Sequence, residues 1–402
     1  MEFEPRVALD YARKFSRPRM VGTREAQRVA EEIASQLARA GYEVQRQGFR
    51  FSTAFERILG GEILTGLVLV AATMLTLGYS RWLTLMLVVL LVTLIWLINP
   101  VNRWVQNNSV HLVDESPHGS WQQFLWKLGK RYRTENLAAA WPGASPGIDA
   151  PHLCLVAHYD SKSQYLPLAL RIALFVILIA GGLAFALLAL ASLVSESFTA
   201  YALAVGVLVV ISGLPLLLLD AGNRSPGAID NASGLGLVLH LAEWIASQPE
   251  LLGKLKITVL ITSAEELGVK GAQACLQGIS GGLDGRDELQ VFNFDGIGVA
   301  GRLYLVGSAR RRGSNKVNQL FHLVMESGSE LGIPIGRFAL PGALFDHAPF
   351  AEAGYAAISL VGIGKGSLAV HTVHDTPDKL HIRGFEQARQ LAIRVIEKMG
   401  RQ

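Results

Sequence analysis

The chain has 402 residues, 50% of them hydrophobic and 17% charged, with a formal net charge of +4. Its length allows about two or three domain-sized units, and its two cysteines, Cys154 and Cys275, lie in apolar surroundings and exclude a disulfide framework. The positive charge comes with no aromatic-interleaved basic stripe and no zinc finger, which excludes nucleic acid as a partner; lysines and arginines flanking apolar runs carry it instead.

The amino-terminal Met1-Glu2-Phe3-Glu4-Pro5 has no basic leader before an apolar core, so no cleavable secretion signal is expected. Thr23 is a candidate N-cap with Glu25 in the first turn behind it. Val29, Ile33 and Leu37 then recur on one face, and Gly41 follows as the stop, which predicts an amphipathic helix. Residues 42–51 alternate and read as a strand. Charge then disappears: residues 63–79 and 82–98 carry none, and only Ser80 and Arg81 separate them. Each run is near the lower length limit for crossing a bilayer. The tight turn makes them a helical hairpin that Asn99-Pro100 is expected to end, with Trp82, Trp96 and Trp104 where interfacial aromatics belong.

Residues 102–133 are polar, basic and aromatic, and read as a segment lying along the membrane surface. Residues 136–141 and 153–157 read as strands joined by the loop 142–151, and His158-Tyr159-Asp160-Ser161 follows the second directly. A second apolar block has two uncharged runs, 172–194 and 198–219, separated by Ser195-Glu196-Ser197. Loop chemistry returns at 220–230, with Gly222, Asn223, Pro226 and Gly227, and 232–248 reads as a helix. Residues 257–262 are rich in β-branched side chains and read as a buried strand with Glu265 and Glu266 at its carboxyl end. Two adjacent anions there need a positive partner, either a basic side chain or a metal cluster. Residues 291–294 form another strand ending at Asp295; 303–306 and 356–361 are further strands; 315–331 and 382–399 are amphipathic helices, the latter closed by Gly400. Strand alternating with helix argues for an α/β sheet covered on both faces.

The acids and imidazoles that fall after strands or in glycine-rich turns are His158, Asp160, Asp230, Glu265, Glu266, Asp295 and His371. Each alone has a plain structural explanation as a cap, a turn residue or a satisfied core group. Together, at the ends of one sheet's elements, imidazole and carboxylate suit zinc. Two other motifs are set aside on context. Gly296-x-Gly298-x-x-Gly301 mimics a dinucleotide fingerprint but precedes a strand, and Gly278-x-Ser280-x-Gly282 mimics a nucleophile elbow but precedes a poor helix.

The motifs His158-x-Asp160, Asp230-Asn231-x-Ser233-Gly234, Glu265-Glu266, Asp295, Asp346-His347-x-x-Phe350 and His371-Thr372-x-x-Asp375-Thr376 resemble those of the M28 family of co-catalytic zinc exopeptidases. The likeness covers roughly residues 18–51, 136–161 and 225–400 and skips both apolar blocks. It implies a mixed-sheet, three-layer α/β zinc-exopeptidase domain with two inserted transmembrane hairpins. It also implies two Zn²⁺ held by His158, Asp230, Glu266, Asp295 and His371, with Asp230 bridging, and Glu265 as general base. Each terminal histidine would share its ion with one carboxylate, Glu266 and Asp295 dividing accordingly. A peptide is the implied substrate and aminopeptidase action the default. The chemistry agrees: three ligand carboxylates offset most of the charge of the ions, and a carboxylate outside the ligand set is still needed to move the proton of the attacking water. Asp160 would hold the other N–H of His158 and set its tautomer. His374 is the alternative to His371 as ligand, His347 lies near substrate or is a structural partner, and Phe345 stands where the family usually has serine.

Since the second apolar block separates His158 from Asp230, the number of crossings there must be even, and the same logic holds for the first block. The expected organisation is one catalytic domain in three pieces, 1–57, 101–165 and 221–402, with hairpins 58–100 and 166–220 inserted. Arg57, Arg103, Lys127, Lys130, Arg131, Arg133, Lys162, Arg171 and Arg224 flank the catalytic side and only Arg81 the far side, so that domain is expected to be cytoplasmic. The competing readings are a single-zinc acyltransferase of the glutaminyl-cyclase type, a non-catalytic receptor or scaffold on the same fold, and a transporter. The last is disfavoured because the spans lack internal charges.

Overall fold

The computed structural model describes residues 3–113, 119–143, 147, 150–279, 289–313, 316–339 and 344–401. Its strands are β1 (Glu43–Ser52), β2 (Val110–Leu112), β3 (Arg131–Ala140), β4 (His152–His158), β5 (Lys256–Thr262), β6 (Leu289–Asp295), β7 (Ala300–Val306), β8 (Ile335–Arg337) and β9 (Ala356–Lys365). Its helices are α1 (Pro5–Phe15), α2 (Arg24–Arg39), α3 (Ala54–Thr76), α4 (Arg81–Asn107), α5 (Ser120–Leu128), α6 (Leu168–Ser192) and α7 (Thr199–Gly213), then α8 (Ser233–Ala246), α9 (Pro249–Leu252), α10 (Lys270–Ile279), α11 (Gln319–Glu330), α12 (His347–Glu352) and α13 (Ile382–Met399).

The strands form one mixed sheet in the order β2-β1-β3-β5-β4-β6-β9-β7-β8. The inner strands β5, β4, β6 and β9 run parallel, and β1, β3 and β7 are antiparallel to their inner neighbours. Parallel strands covered on both faces are buried along their whole length, as all seven residues of β6 are, Gln290, Asn293 and Asp295 included. The two faces still separate by the period of two. Leu153, Leu155 and Ala157 of β4 join the core under α1, α2, α8, α11 and α13, while Cys154 and Val156 join the smaller core with Ala272 of α10 and Phe350 of α12. This gives three layers, helix, sheet, helix.

The carboxyl edge of the parallel strands organises the molecule. His158 at the end of β4 pairs with Thr262 at the end of β5, and β6 ends beside them at Asp295. Because β1 is antiparallel to β3 and β3 to β5, the end of β1 at Ser52 lies on this same edge. Both hairpins leave from it, α3 directly after β1 and α6 ten residues after β4.

Helices α3, α4, α6 and α7 pack as a four-helix bundle around Ile63, Leu67, Val70, Leu91, Phe185, Val209 and Leu216. Four helical segments, Ala54–Thr76, Arg81–Asn107, Leu168–Ser192 and Glu196–Leu218, are long and apolar enough to cross a membrane. Their outer faces are bare: Val68, Leu75, Val89, Val176, Leu187 and Val207 are exposed. The roots of both excursions are closed by backbone hydrogen bonds. Ser163 and Gly222 exchange N–H···O bonds of 2.7 and 2.8 Å, and Thr53 N–H donates to Lys130 O at 2.9 Å.

Several elements differ from the sequence reading. Helix α4 does not stop at Asn99-Pro100; it runs through Pro100 to Asn107. Contacts beyond the proline hold it: Asn102 donates to Glu62 at 2.7 Å, Val105 packs with Ala54 and Leu125, and Lys270 Nζ donates to Gln106 O at 3.0 Å and Ser109 Oγ at 2.9 Å. The apolar run 198–219 is not one α-helix, because its last turn around Pro215 tightens to a 3₁₀ segment, Leu214–Leu218. Helix α1 was not read from the sequence; it starts with Pro5 at its first position and buries Ala8, Leu9, Ala12 and Phe15. It lies against Gly236 of α8, where a Cβ would sit 2.4 Å from Ala8 O. Of the helix expected at 315–331, residue 315 lies outside the described residues and 316–318 are not helical, Val317 forming a bridge with Arg310; α11 begins at Gln319, capped by Asn318, which accepts from Phe321 N–H at 3.2 Å. The elbow-like motif at 278–282 also falls largely outside the described residues, while the glycine motif at 296–301 leads into β7, a strand.

Candidate metal centre

Each side chain of the constellation is aimed by a local device. Behind β4, the buried Asp160 carboxylate accepts backbone N–H bonds from Glu265 at 3.2 Å and Glu266 at 3.3 Å, so one strand end fixes the other. Ala264 just before them takes a left-handed φ of 58°, a strained conformation for a residue with a Cβ. Asp230 stands in the turn before α8, where Asp375 accepts from Ile229 N–H at 2.7 Å and Asp230 N–H at 3.2 Å. The following Asn231, joined to Asp230 by a cis peptide, ties that turn to the end of β6. Its amide donates to Phe294 O at 2.9 Å and its carbonyl accepts from Gly234 and Gly296. Only glycine fits at 234, because a Cβ would lie 2.3 Å from Phe294 O. Arg19, fully buried, donates to the carbonyls of Tyr159, Pro226 and Gly227 and holds the two turns together.

The result is two groups of donors that share one residue. His158, Asp230 and Asp295 each bring one ligand atom within 4.8 Å of the others, and so do Asp230, Glu266 and His371. Asp230 turns Oδ1 to His158 Nε2 at 3.2 Å and Oδ2 to His371 Nε2 at 3.1 Å. Asp295 lies 3.6 Å from His158 Nε2, and Glu266 lies 2.8 Å from His371 Nε2. Glu265 belongs to neither group; its Oε2 stands 3.8 Å from His158 Nε2. Asp160 Oδ1 is 3.5 Å from His158 Nδ1, while its firm hydrogen bonds go to the backbone of the glutamate pair.

The electrostatics describe a crowded acid cluster. Burial works against charge on His158, but Glu265 and the Asp160, Asp230 and Asp295 contacts outweigh it and hold the imidazolium form well above its usual range. Burial also raises Asp230, yet its contacts with His158 and His371 hold that carboxyl well below its usual range. Glu265 goes the other way: burial, joined by Asp295, Asp346 and Glu266, pushes it well above the carboxylate range against the pull of His158.

The donors fit divalent cations. Both ring nitrogens of His158 and Oδ1 of Asp230 are buried and make no hydrogen bond among the described residues. Such atoms are costly unless a ligand completes them. Imidazole nitrogen and carboxylate oxygen are the donors zinc takes. Two basic residues, read in the sequence only as flanks of the apolar runs, reach into this cluster. Lys162 Nζ lies 3.1 Å from Glu266 Oε2, and Arg171, in the first turn of α6, places Nη2 2.9 Å from His371 Nδ1. A guanidinium only donates, so this contact is made to the Nδ1 lone pair.

His374, the alternative to His371, is exposed and outside both groups. His371 itself has a left-handed φ of 62°, which points it inward. His347 is buried and pairs with Ser359 Oγ at 2.7 Å, with its ring stacked near Phe345; burial lowers it to about 4.

Asp346, fully buried, accepts from the Thr262 hydroxyl, and burial raises its carboxyl to about 7. An acid raised in the folded state stabilises through its protonated form. That contribution is complete below the unfolded value of about 4 and is lost as pH rises through about 7. In chelator, the Tm of the wild-type chain is expected to fall from pH 5 to pH 8 more steeply than that of Asp346→Asn. Parallel melting curves for the two proteins would refute this.

A model of peptidase family M28 matches residues 136–396. No curated relative matches the sequence. Among solved structures, an aminopeptidase from Aneurinibacillus sp. strain AM-1 superposes with a TM-score of 0.55 at 14% identity, covering 98% of this chain and 94% of that one. A zinc aminopeptidase from Bacillus subtilis gives 0.54 at 14% identity, covering 99% and 95%. A glutaminyl cyclase from Porphyromonas gingivalis gives 0.52 at 13% identity, covering 98% of each chain. At these identities the likeness is one of fold.

Proposed function

Since the chain belongs to peptidase family M28, a family of peptide hydrolases, we propose that it is a membrane-anchored metalloexopeptidase that binds two zinc ions and removes amino-terminal residues from peptides. One observation carries this reading: Asp230 sends its two carboxylate oxygens to separate histidines, each with its own carboxylate partner. His158, Asp295 and Asp230 would hold one ion, and His371, Glu266 and Asp230 the other. When bound, such ions would supply Lewis acidity, lowering the pKa of a bound water and polarising the scissile carbonyl.

The remaining steps belong to the protein. Glu265, buried and outside both groups, takes the proton of the attacking water and delivers it to the leaving amine. Its burial among acids raises its proton affinity, which suits a group that must first gain and then give up a proton. Asp160 holds the backbone of the glutamate pair, and with it the distance from Glu265 to the reacting centre. Lys162 neutralises part of the charge on Glu266.

The four long apolar helices and their exposed outer faces support a membrane anchor. The basic residues on the catalytic side support a cytoplasmic orientation.

Purified chain, analysed for metal and offered aminoacyl, carboxy-terminal and amino-terminal glutaminyl reporter peptides, tests the activity. Two zincs per chain and chelator-sensitive release of amino-terminal residues are expected. One zinc with ring closure of glutaminyl peptides would move the chain to the cyclase reading. A reporter fused after Gln402 tests the side, and activity only outside the cytoplasm would reverse the orientation.

A further inference from the structure

The metal residues and the apolar bundle occupy the same edge of the sheet. Strand β4 ends at His158 and leads to α6; β1 ends at Ser52 and leads to α3. The return from the bundle at Asp220 is paired to Lys130, just before β3, at 3.1 Å. All four helix ends therefore attach where His158, Glu266 and Asp295 are collected. The second donor group comes closest. His371 touches Arg171 at 2.9 Å, and its carbonyl accepts from Gln164 N–H at 2.8 Å. Arg171 is the last charged residue before the uncharged run 172–194. The donor site is thus within one side chain of the level at which hydrocarbon would begin.

The rim here is apolar and uncovered. On the loop 366–375 that carries His371, Leu368 is 67% exposed and Val373 is 47% exposed. Leu170, 46% exposed, belongs to the first turn of α6. Tyr165, between β4 and α6, is exposed with the Arg224 guanidinium 4.8 Å from its ring centre. An aromatic ring under a cation beside an apolar run is the composition of a bilayer interface. Water solvates these side chains poorly, and the headgroup layer suits both parts.

We propose that the substrates are apolar peptides adsorbed to the bilayer surface, and that the loop 366–375 is a lip of the donor site dipping into the headgroup layer. The proposal rests on the exopeptidase and membrane-anchor readings above and adds where the peptide comes from. An exopeptidase needs only a chain end to enter. A peptide lying in the interface presents its end at the height of the donor site, while a folded protein in bulk water is kept off by the bilayer. Partition concentrates apolar peptides in that layer and lowers the concentration needed in solution.

The test uses the full chain, zinc-loaded, in phospholipid nanodiscs. Two substrates share the same amino-terminal residues; one is short and water-soluble, the other carries a carboxy-terminal lipid tail. The tailed substrate should be cleaved with a kcat/KM at least about tenfold higher, and Leu368→Asp with Val373→Asp should reduce that ratio by about tenfold. An environment-sensitive fluorophore on Leu368→Cys, in a Cys275→Ala background, should be quenched by lipids bearing a nitroxide at the headgroup. This second reading is independent of turnover and survives if the aspartate variant fails to fold. Equal kcat/KM for the two substrates overturns the substrate class, and absence of quenching overturns the lip. No cleavage of either substrate by zinc-loaded chain would instead overturn the peptidase reading, and the quenching would still report on the lip.

Discussion

Replacing Glu265 by glutamine is expected to lower kcat by about 10³-fold, within the range general acid–base groups supply, while metal content stays unchanged. Glu265 belongs to neither donor group, and its carboxylate stands 3.8 Å from the His158 ring. Glutamine keeps the volume of this buried position and the backbone N–H bond to Asp160. It removes only the ability to hold and pass on a proton. The substitution therefore separates two roles that adjacency in sequence leaves confused, since Glu266 next to it faces His371 at 2.8 Å. Metal analysis beside steady-state kinetics reads the outcome. Loss of zinc with loss of activity would make Glu265 a ligand, and retained kcat would remove it from the chemistry.

Asp230→Asn is expected to cost more than the loss of any one of the four terminal ligands His158, Asp295, Glu266 and His371, because Asp230 is the residue common to both groups. An asparagine offers one neutral oxygen where two charged ones face two histidines at 3.2 and 3.1 Å. Zinc content should fall to one per chain or less, and kcat/KM by at least about 10³-fold, a loss in the range of removing an electrostatic group at the reacting centre. Stability should follow. A ligand at 100 times its Kd stabilises by about 2.7 kcal/mol, so zinc is expected to raise the Tm of the wild-type chain and that rise should largely vanish in the variant. Asp295→Asn, which touches only the first group, should keep part of that rise. Two zincs retained by Asp230→Asn would refute the bridging role.

The positions that end parallel strands were legible in the sequence for a physical reason. A buried parallel strand is an apolar run, so the first acid or imidazole after it stands out, as His158, Glu265 and Asp295 do. The short turn at Asp230 was legible through its glycines and its Asn-x-Ser-Gly spacing. Lys162 and Arg171 were hidden because a basic residue before an apolar run has a sufficient explanation in membrane topology; only coordinates show Lys162 on Glu266 and Arg171 on His371. Sequence alone allows the glutamate pair two partners, a basic side chain or a metal, and the cluster contains a lysine beside a set of donors suited to a cation. Asp375 looked like a member of a histidine motif, and its work on the backbone of Asp230 depends on a fold that joins positions 145 residues apart. The termination read at Asn99-Pro100 failed because local propensity lost to contacts made beyond the proline by Asn102, Val105 and Lys270.

The paired N–H···O bonds between Ser163 and Gly222 have a consequence for how such a chain can arise. The 58 residues between them leave and re-enter through a gap one antiparallel bridge wide, and a two-residue turn is enough to close such a gap. Splicing in the excursion, or excising it, leaves His158 and Asp230 in the same register. The excursion is therefore a unit joined to the scaffold at one bridge, and removing it takes from the site the two contacts that Gln164 and Arg171 make with His371.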